Sequence, residues 1–177
     1  MSRPRLLLCA AALLLSPWDA AWAQPADAVA SCEGPVLLPP ELAGWGADHV
    51  PVTAAANPAA PDAPSLPVGR AVDATLRPTP DIAYAVRPEK PGGSVSKGGL
   101  FLFDVADAGR YRVALGSAAW IDVIEAGKST VSIAHGRGPA CSSIRKMVDY
   151  DLKPGRHLLQ ISANGTEMLT LMVTKLP

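Results

Sequence analysis

The chain has 177 residues, carries 16 Lys+Arg against 16 Asp+Glu for a formal net charge of zero, and is 49% hydrophobic. That balance argues against a nucleic-acid partner or an anionic membrane surface, because both need a basic face that displaces counterions. The length suits one domain large enough to bury a core unaided by metal.

Residues 1–23 come first in chain order. Arg3 and Arg5 precede the apolar run LLLCAAALLL, and Ala21-Trp22-Ala23 precedes Gln24. A charged start, a short apolar stretch and an A-x-A site form a secretory signal, which places the mature start at Gln24 and the protein in the periplasm or outside the cell. The run is about ten residues, half of what a bilayer span requires, so no membrane insertion is expected. Cleavage leaves 14 of the 16 basic and 15 of the 16 acidic residues. It also removes Cys9, so that Cys32 and Cys141 remain. In an oxidising compartment two such cysteines pair, and a Cys32–Cys141 disulfide is expected. A thiol metal site or redox couple is disfavoured by the absence of C-x-x-C spacing.

Residues 24–68 are rich in proline and alanine. Within them, residues 32–46 read as an arm held by Cys32 and packed through Trp45. TAAANPAAPDAPSLP (residues 53–67) has no periodic apolar face and reads as an extended surface linker.

From residue 69 to 177 the pattern changes to short runs of β-branched and aliphatic residues separated by turns. Strands are expected at 71–76, 82–86, 100–105, 110–116, 120–125, 129–134, 145–152, 157–163 and 168–174. Asn164-Gly165 reads as a type I′ hairpin, and Gly127-Lys128-Ser129 as a hairpin rather than a phosphate loop. The fold expected is an all-β antiparallel sandwich of jelly-roll type over residues 69–177.

AHGRGPACSSIRKM (residues 134–147) is the stretch densest in chemistry. His135, Arg137, Arg145 and Lys146 are candidates for a cationic site taking a carboxylate or phosphate, with arginine supplying a bidentate fork. The competing reading is a loop anchored by Cys141 with its cations in solvent. Strand alternation sends Arg145 and Lys146 to opposite faces. Trp120 is a further candidate as a stacking platform, although a core position is the commoner fate of tryptophan. Asp104, Asp107, Asp122, Glu125, Asp149 and Asp151 are oxygen donors that Ca2+ could use if they clustered. The S-x-x-K spacings at Ser94–Lys97 and Ser143–Lys146 lack the helical turn that joins hydroxyl to amine.

FDVADAGRYRVALGS followed by DYDLKPGRHLLQIS resembles the strands of secreted bacterial β-sandwich modules, such as pre-peptidase C-terminal and carbohydrate-binding domains. KPGGSVSKGGLFLFDV, RVALGSAAWIDVIEAGK and AHGRGPACSSIRKMVDYDLKPG are similar to short exported proteobacterial proteins that sometimes carry the label homogentisate 1,2-dioxygenase. The label implies Fe(II) held by two histidines and a carboxylate. The candidates here are His49, His135 and His157, widely separated and without H-x-E or H-x-H spacing. The residues themselves therefore point to an exported, non-enzymatic binding or accessory module of the bacterial cell envelope, with no cofactor expected. Its partner is an undefined small molecule, glycan or envelope protein. A metal-dependent dioxygenase and a carbohydrate-binding module stand as alternatives.

Overall fold

The computed structural model describes Cys32, Gly34 and residues 36–59 and 63–177. The expected signal segment and its cleavage point lie outside these residues. Cys32–Pro177 forms one compact unit, and among the described residues no helix is long and apolar enough to cross a membrane.

Alternation of apolar and polar side chains builds two sheets that share a core. The first sheet runs β1 (Val50–Thr53), β3 (Ala71–Thr75), β12 (Met168–Lys175), β6 (Gly109–Leu115), β10 (Lys146–Leu152), β9 (Ala134–Gly136). The second runs β2 (Ser65–Leu66), β5 (Lys97–Val105), β11 (Gly155–Asn164), β7 (Trp120–Glu125), β8 (Lys128–Ser129), with β4 (Arg77–Pro78) also paired to β5. Apart from the short additions, the orders β3-β12-β6-β10 and β5-β11-β7-β8 are those of a jelly roll. Phe101, Phe103, Leu159 and Ile161 from the second sheet meet Val113, Leu171, Val173 and Tyr150 from the first, all buried. The intervening residues of each strand point away from this core, as a period of two requires.

The arm closes the outer face of the first sheet. Pro40–Trp45 forms a 3-10 turn whose Leu42 and Trp45 are buried with Ala71, Ala114, Ile144 and Met172. Trp45 Nε1 donates to Ser143 Oγ at 2.8 Å, and Thr174 Oγ1 donates to the Glu41 carbonyl at 2.9 Å. Gly44 is required by proximity, since a Cβ there would overlap the Gly69 carbonyl. Arg112 forks onto buried Asp149 at 2.7 and 2.9 Å and approaches Glu41 at 4.0 Å, tying β6, β10 and the arm together. The Cys32–Cys141 disulfide is formed, with Cα atoms 5.3 Å apart.

Five expectations about the fold are corrected. The sandwich does not begin at residue 69, because β1 runs parallel to β3 and β2 parallel to β5. Ala54, Ala55 and Leu66 are buried, and small side chains allow that approach: a Cβ on Gly99 would collide with Ala54. Both sheets are consequently mixed rather than antiparallel throughout. No strand forms at 82–86. Instead residues 82–90 lie across the outer face of the second sheet, where the Gln160 amide bonds the backbone of Ala85 and Val86 and Ser162 Oγ donates to the Lys90 carbonyl. The run 129–134 breaks because it changes sheet: Thr130 N bonds Val123 O, and Ile133 N bonds Asp149 O.

Asn164-Gly165 does not make a hairpin either, since β11 and β12 belong to different sheets. Neither residue has a positive φ, which a type I′ turn demands of both central positions. Asn164 is buried, donates to Thr166 O and accepts from Ser117 Oγ. The positive-φ pair is Ala126 (48°) and Gly127 (76°), at the β7–β8 hairpin.

Candidate functional site

Trp120 opens β7. Because Ile121 and Val123 point into the core, Trp120 and Asp122 point off it, and the indole is half-buried at the mouth of the sandwich instead of in the core. Its Nε1 donates to Asp122 Oδ1 at 3.2 Å. Two ammonium groups lie over the ring, Lys90 Nζ at 5.3 Å and Lys146 Nζ at 5.2 Å from its centroid. Both distances fall within the range of a cation–π attraction.

The two lysines arrive by different routes. Lys146 begins β10 and shares a face with Val148 and Tyr150, which turns its long side chain toward the open edge between the sheets. There it donates to the Ala119 carbonyl at 2.8 Å. Burial holds its pKa below the usual lysine range, the nearby Lys90 charge adds to that, and Asp122 opposes it. Lys90 ends the segment that crosses the second sheet, and its carbonyl is fixed by buried Ser162.

Asp122 is the counterweight. Burial raises its pKa, while hydrogen bonds from Trp120, Gln160 and Ser129 lower it and the Glu89 charge raises it further. Tyr150 OH donates to the Ile121 carbonyl at 3.3 Å, and burial pushes its pKa far above the ordinary phenol value.

His135 lies opposite Val148 in the β9–β10 pairing, so both side chains face the same opening. Trp120, His135, Lys146, Val148 and Tyr150 surround a cleft of about 290 Å³. A neighbouring recess of about 390 Å³ shares His135 and Lys146 and adds Arg137 and Arg145. The five sequence candidates thus converge on one edge of the molecule. Arg145 and Lys146 line the same recess, contrary to the expected divergence, because regular alternation starts only at Lys146 and Arg145 is held by its own N–H to Leu115 O. The intervening loop is tight. Ser142 bonds the Pro139 carbonyl through both N and Oγ, Cys141 adopts φ 63°, and a Cβ on Gly138 would overlap Ile144.

Lys90, His135, Arg137, Arg145 and Lys146 form none of the ion pairs found among the described residues, whereas Arg112, Arg156, Lys175 and His49 each have a carboxylate within 4.0 Å. The edge around Trp120 therefore gathers cationic side chains without a directly paired carboxylate, Asp122 opposing the Lys146 charge from beyond ion-pair distance.

The other candidates do not assemble. His49 engages Asp73 Oδ1 at 3.1 Å and the Trp45 carbonyl at 3.0 Å. His157 is buried, stacks on Phe103 and bonds the Lys153 carbonyl at 2.8 Å. Only His135 reaches the cleft. The carboxylates proposed for calcium are dispersed, with Asp104 on Arg156, Asp107 on Lys175 and Asp149 on Arg112. Among the described residues no three His, Cys, Asp or Glu side chains are grouped to hold a metal. Ser143 accepts from Trp45 and Lys146 donates to Ala119, so that S-x-x-K spacing does not unite them.

Lys90 and Tyr150 escaped the sequence reading. Lys90 sits in a stretch with no strand periodicity, and nothing local indicates that Gln160 and Ser162, seventy residues onward, fix its position. Compared with known proteins, the chain matches no family model and no curated protein.

Proposed function

We propose that this protein is an exported, non-enzymatic binding or accessory module of the bacterial cell envelope, periplasmic or secreted, whose ligand seats in the Trp120 cleft. One observation carries the reading: a half-buried indole at the open edge of the sandwich is flanked by two lysines, with His135, Arg137 and Arg145 beside it and no carboxylate paired to any of the five. Lys146 is the half-buried member of the five, and its unused donors are completed when a ligand supplies acceptors. The sequence of residues 1–23 supports export.

A carbohydrate-binding reading draws on the same feature, since an indole on a cleft wall can stack on a sugar ring. The dioxygenase reading gains no support from the histidines, which go to three different surroundings.

The test compares wild type with Trp120→Phe and His135→Ala against a library of envelope saccharides and small anions, by thermal shift, together with turnover on hydrolase and oxygenase panels. A ligand that raises the wild-type midpoint and loses that effect in W120F is expected. Turnover that disappears in H135A would contradict the reading.

A further inference from the structure

We propose that the ligand of this cleft is a small ring-bearing oxyanion, its anionic group held between Lys90 and Lys146 and its ring set against Trp120. The inference rests on the cleft being the binding site and adds the chemical class.

The two ammonium groups are within 5.3 Å of the same ring centroid, so they repel one another across a shared aromatic surface. Lys146 has one acceptor, the Ala119 carbonyl, for three donors, and neither lysine has a carboxylate within ion-pair distance. An oxyanion placed between them converts that repulsion into two charge-assisted hydrogen bonds. Asp122 does not fill that place, because it forms an ion pair with neither lysine and its oxygens serve Trp120 Nε1, Gln160 Nε2 and Ser129 Oγ.

The remainder of the wall sets the ligand's body. Ile121, Val148 and Tyr150 line the cleft beside the indole, an apolar surface suited to a flat or cyclic group. The volume of about 290 Å³ sits at the lower end for small-molecule sites, so a single ring fits and a long polymer does not. Arg137 and Arg145, in the adjoining recess, extend the positive field outward and favour approach of anions. Lys90 comes from the crossing segment and Lys146 from β10, so the anion also joins two elements distant in sequence.

Isothermal titration calorimetry with four probes tests the class. Benzoate and glucuronate each carry a carboxylate on a ring and distinguish an apolar from a hydroxylated body. Glucose lacks the anion, and inorganic phosphate lacks the ring. The expected result is binding of benzoate or glucuronate at least tenfold tighter than glucose and phosphate, weakening severalfold between 50 and 300 mM salt by screening (on the order of the change in Debye length). Lys90→Gln and Lys146→Gln should each reduce affinity by about tenfold, the worth of one charged hydrogen bond. Lys90 lies on the surface segment, so K90Q remains informative if K146Q, in the more buried position, fails to fold by circular dichroism.

Glucose binding as tightly as glucuronate, with dependence on Trp120, would overturn the anion assignment while leaving the cleft as the binding site. Phosphate binding as tightly as the ring-bearing anions would overturn the role of the ring. Anion binding unchanged in both lysine variants would overturn the placement.

Discussion

His49 shows how one side chain at the end of the arm reports pH. Its Nε2 meets the Trp45 carbonyl at 3.0 Å and its Nδ1 meets Asp73 Oδ1 at 3.1 Å. Both contacts are donated in full only by the imidazolium, and the pKa is raised, chiefly by the Trp45 carbonyl, against a smaller opposing effect of burial and with Asp73 assisting. Asp73 in turn is held below its ordinary value, first by the Thr170 hydroxyl and also by His49. A histidine whose folded pKa exceeds its unfolded value of about 6.5 stabilises the fold fully below that pH and loses the contribution as pH rises through the folded value. Asp73, being depressed, contributes above its unfolded pKa and loses that contribution as pH falls through its folded value. The difference in melting temperature between wild type and His49→Ala should therefore be largest near pH 5–6 and shrink above neutrality. The corresponding difference in unfolding free energy should be at most about 1 kcal/mol, because Asp73 is open to screening solvent. A difference that grows from pH 6 to 8 would contradict this assignment.

At the scale of elements, the crossing segment 82–90 joins fold to site. Gln160 is fully buried on the outer face of β11, and its amide serves Ala85 N, Val86 N, Val86 O and Asp122. These bonds replace those that a further strand would have made. Gln160→Leu keeps the volume and leaves buried partners unsatisfied, which should lower stability by about 1–3 kcal/mol. By loosening Lys90 it should also weaken anion binding in a protein that still folds. Chemical denaturation gives the first quantity, and calorimetry with glucuronate gives the second. The sequence carried the outline of these elements better than their joints. Strand 120–125 agrees with the structure residue for residue, because Trp-Ile-Asp-Val-Ile-Glu alternates cleanly. Strand 82–86 fails because Ile-Ala-Tyr-Ala-Val has strand composition, whereas the fold spends its backbone bonds on Gln160.

For the whole molecule, the jelly roll explains why residues far apart in sequence meet at Trp120. Consecutive long strands alternate between sheets, and β7 and β10 both begin at the same open edge although they belong to different layers. The all-β sandwich was legible from period-two runs, and the disulfide from the two cysteines that remain after the expected export signal. The parallel edge strands were not, because Pro51 interrupts Val50–Thr53 and Pro64 and Pro67 flank Ser65–Leu66, and proline is kept out of sheet interiors but tolerated at an edge. Of the site, His135, Arg137, Arg145, Lys146 and Trp120 were visible as residue types. Their convergence was not visible, since it depends on a change of sheet after β8 and on where β10 resumes alternation.

The central claim is that Trp120, and not another part of the surface, meets the ligand. A chain begun at Gln24 contains two tryptophans, Trp45 and Trp120, and they have different indole partners, Ser143 Oγ and Asp122 Oδ1. A 15N-labelled sample should show two indole N–H resonances that can be assigned by Trp120→Phe. On titration with glucuronate or benzoate, the Trp120 resonance should move to saturation while the Trp45 resonance stays in place. A Trp120 resonance that stays still while backbone amides elsewhere shift to saturation would contradict the account.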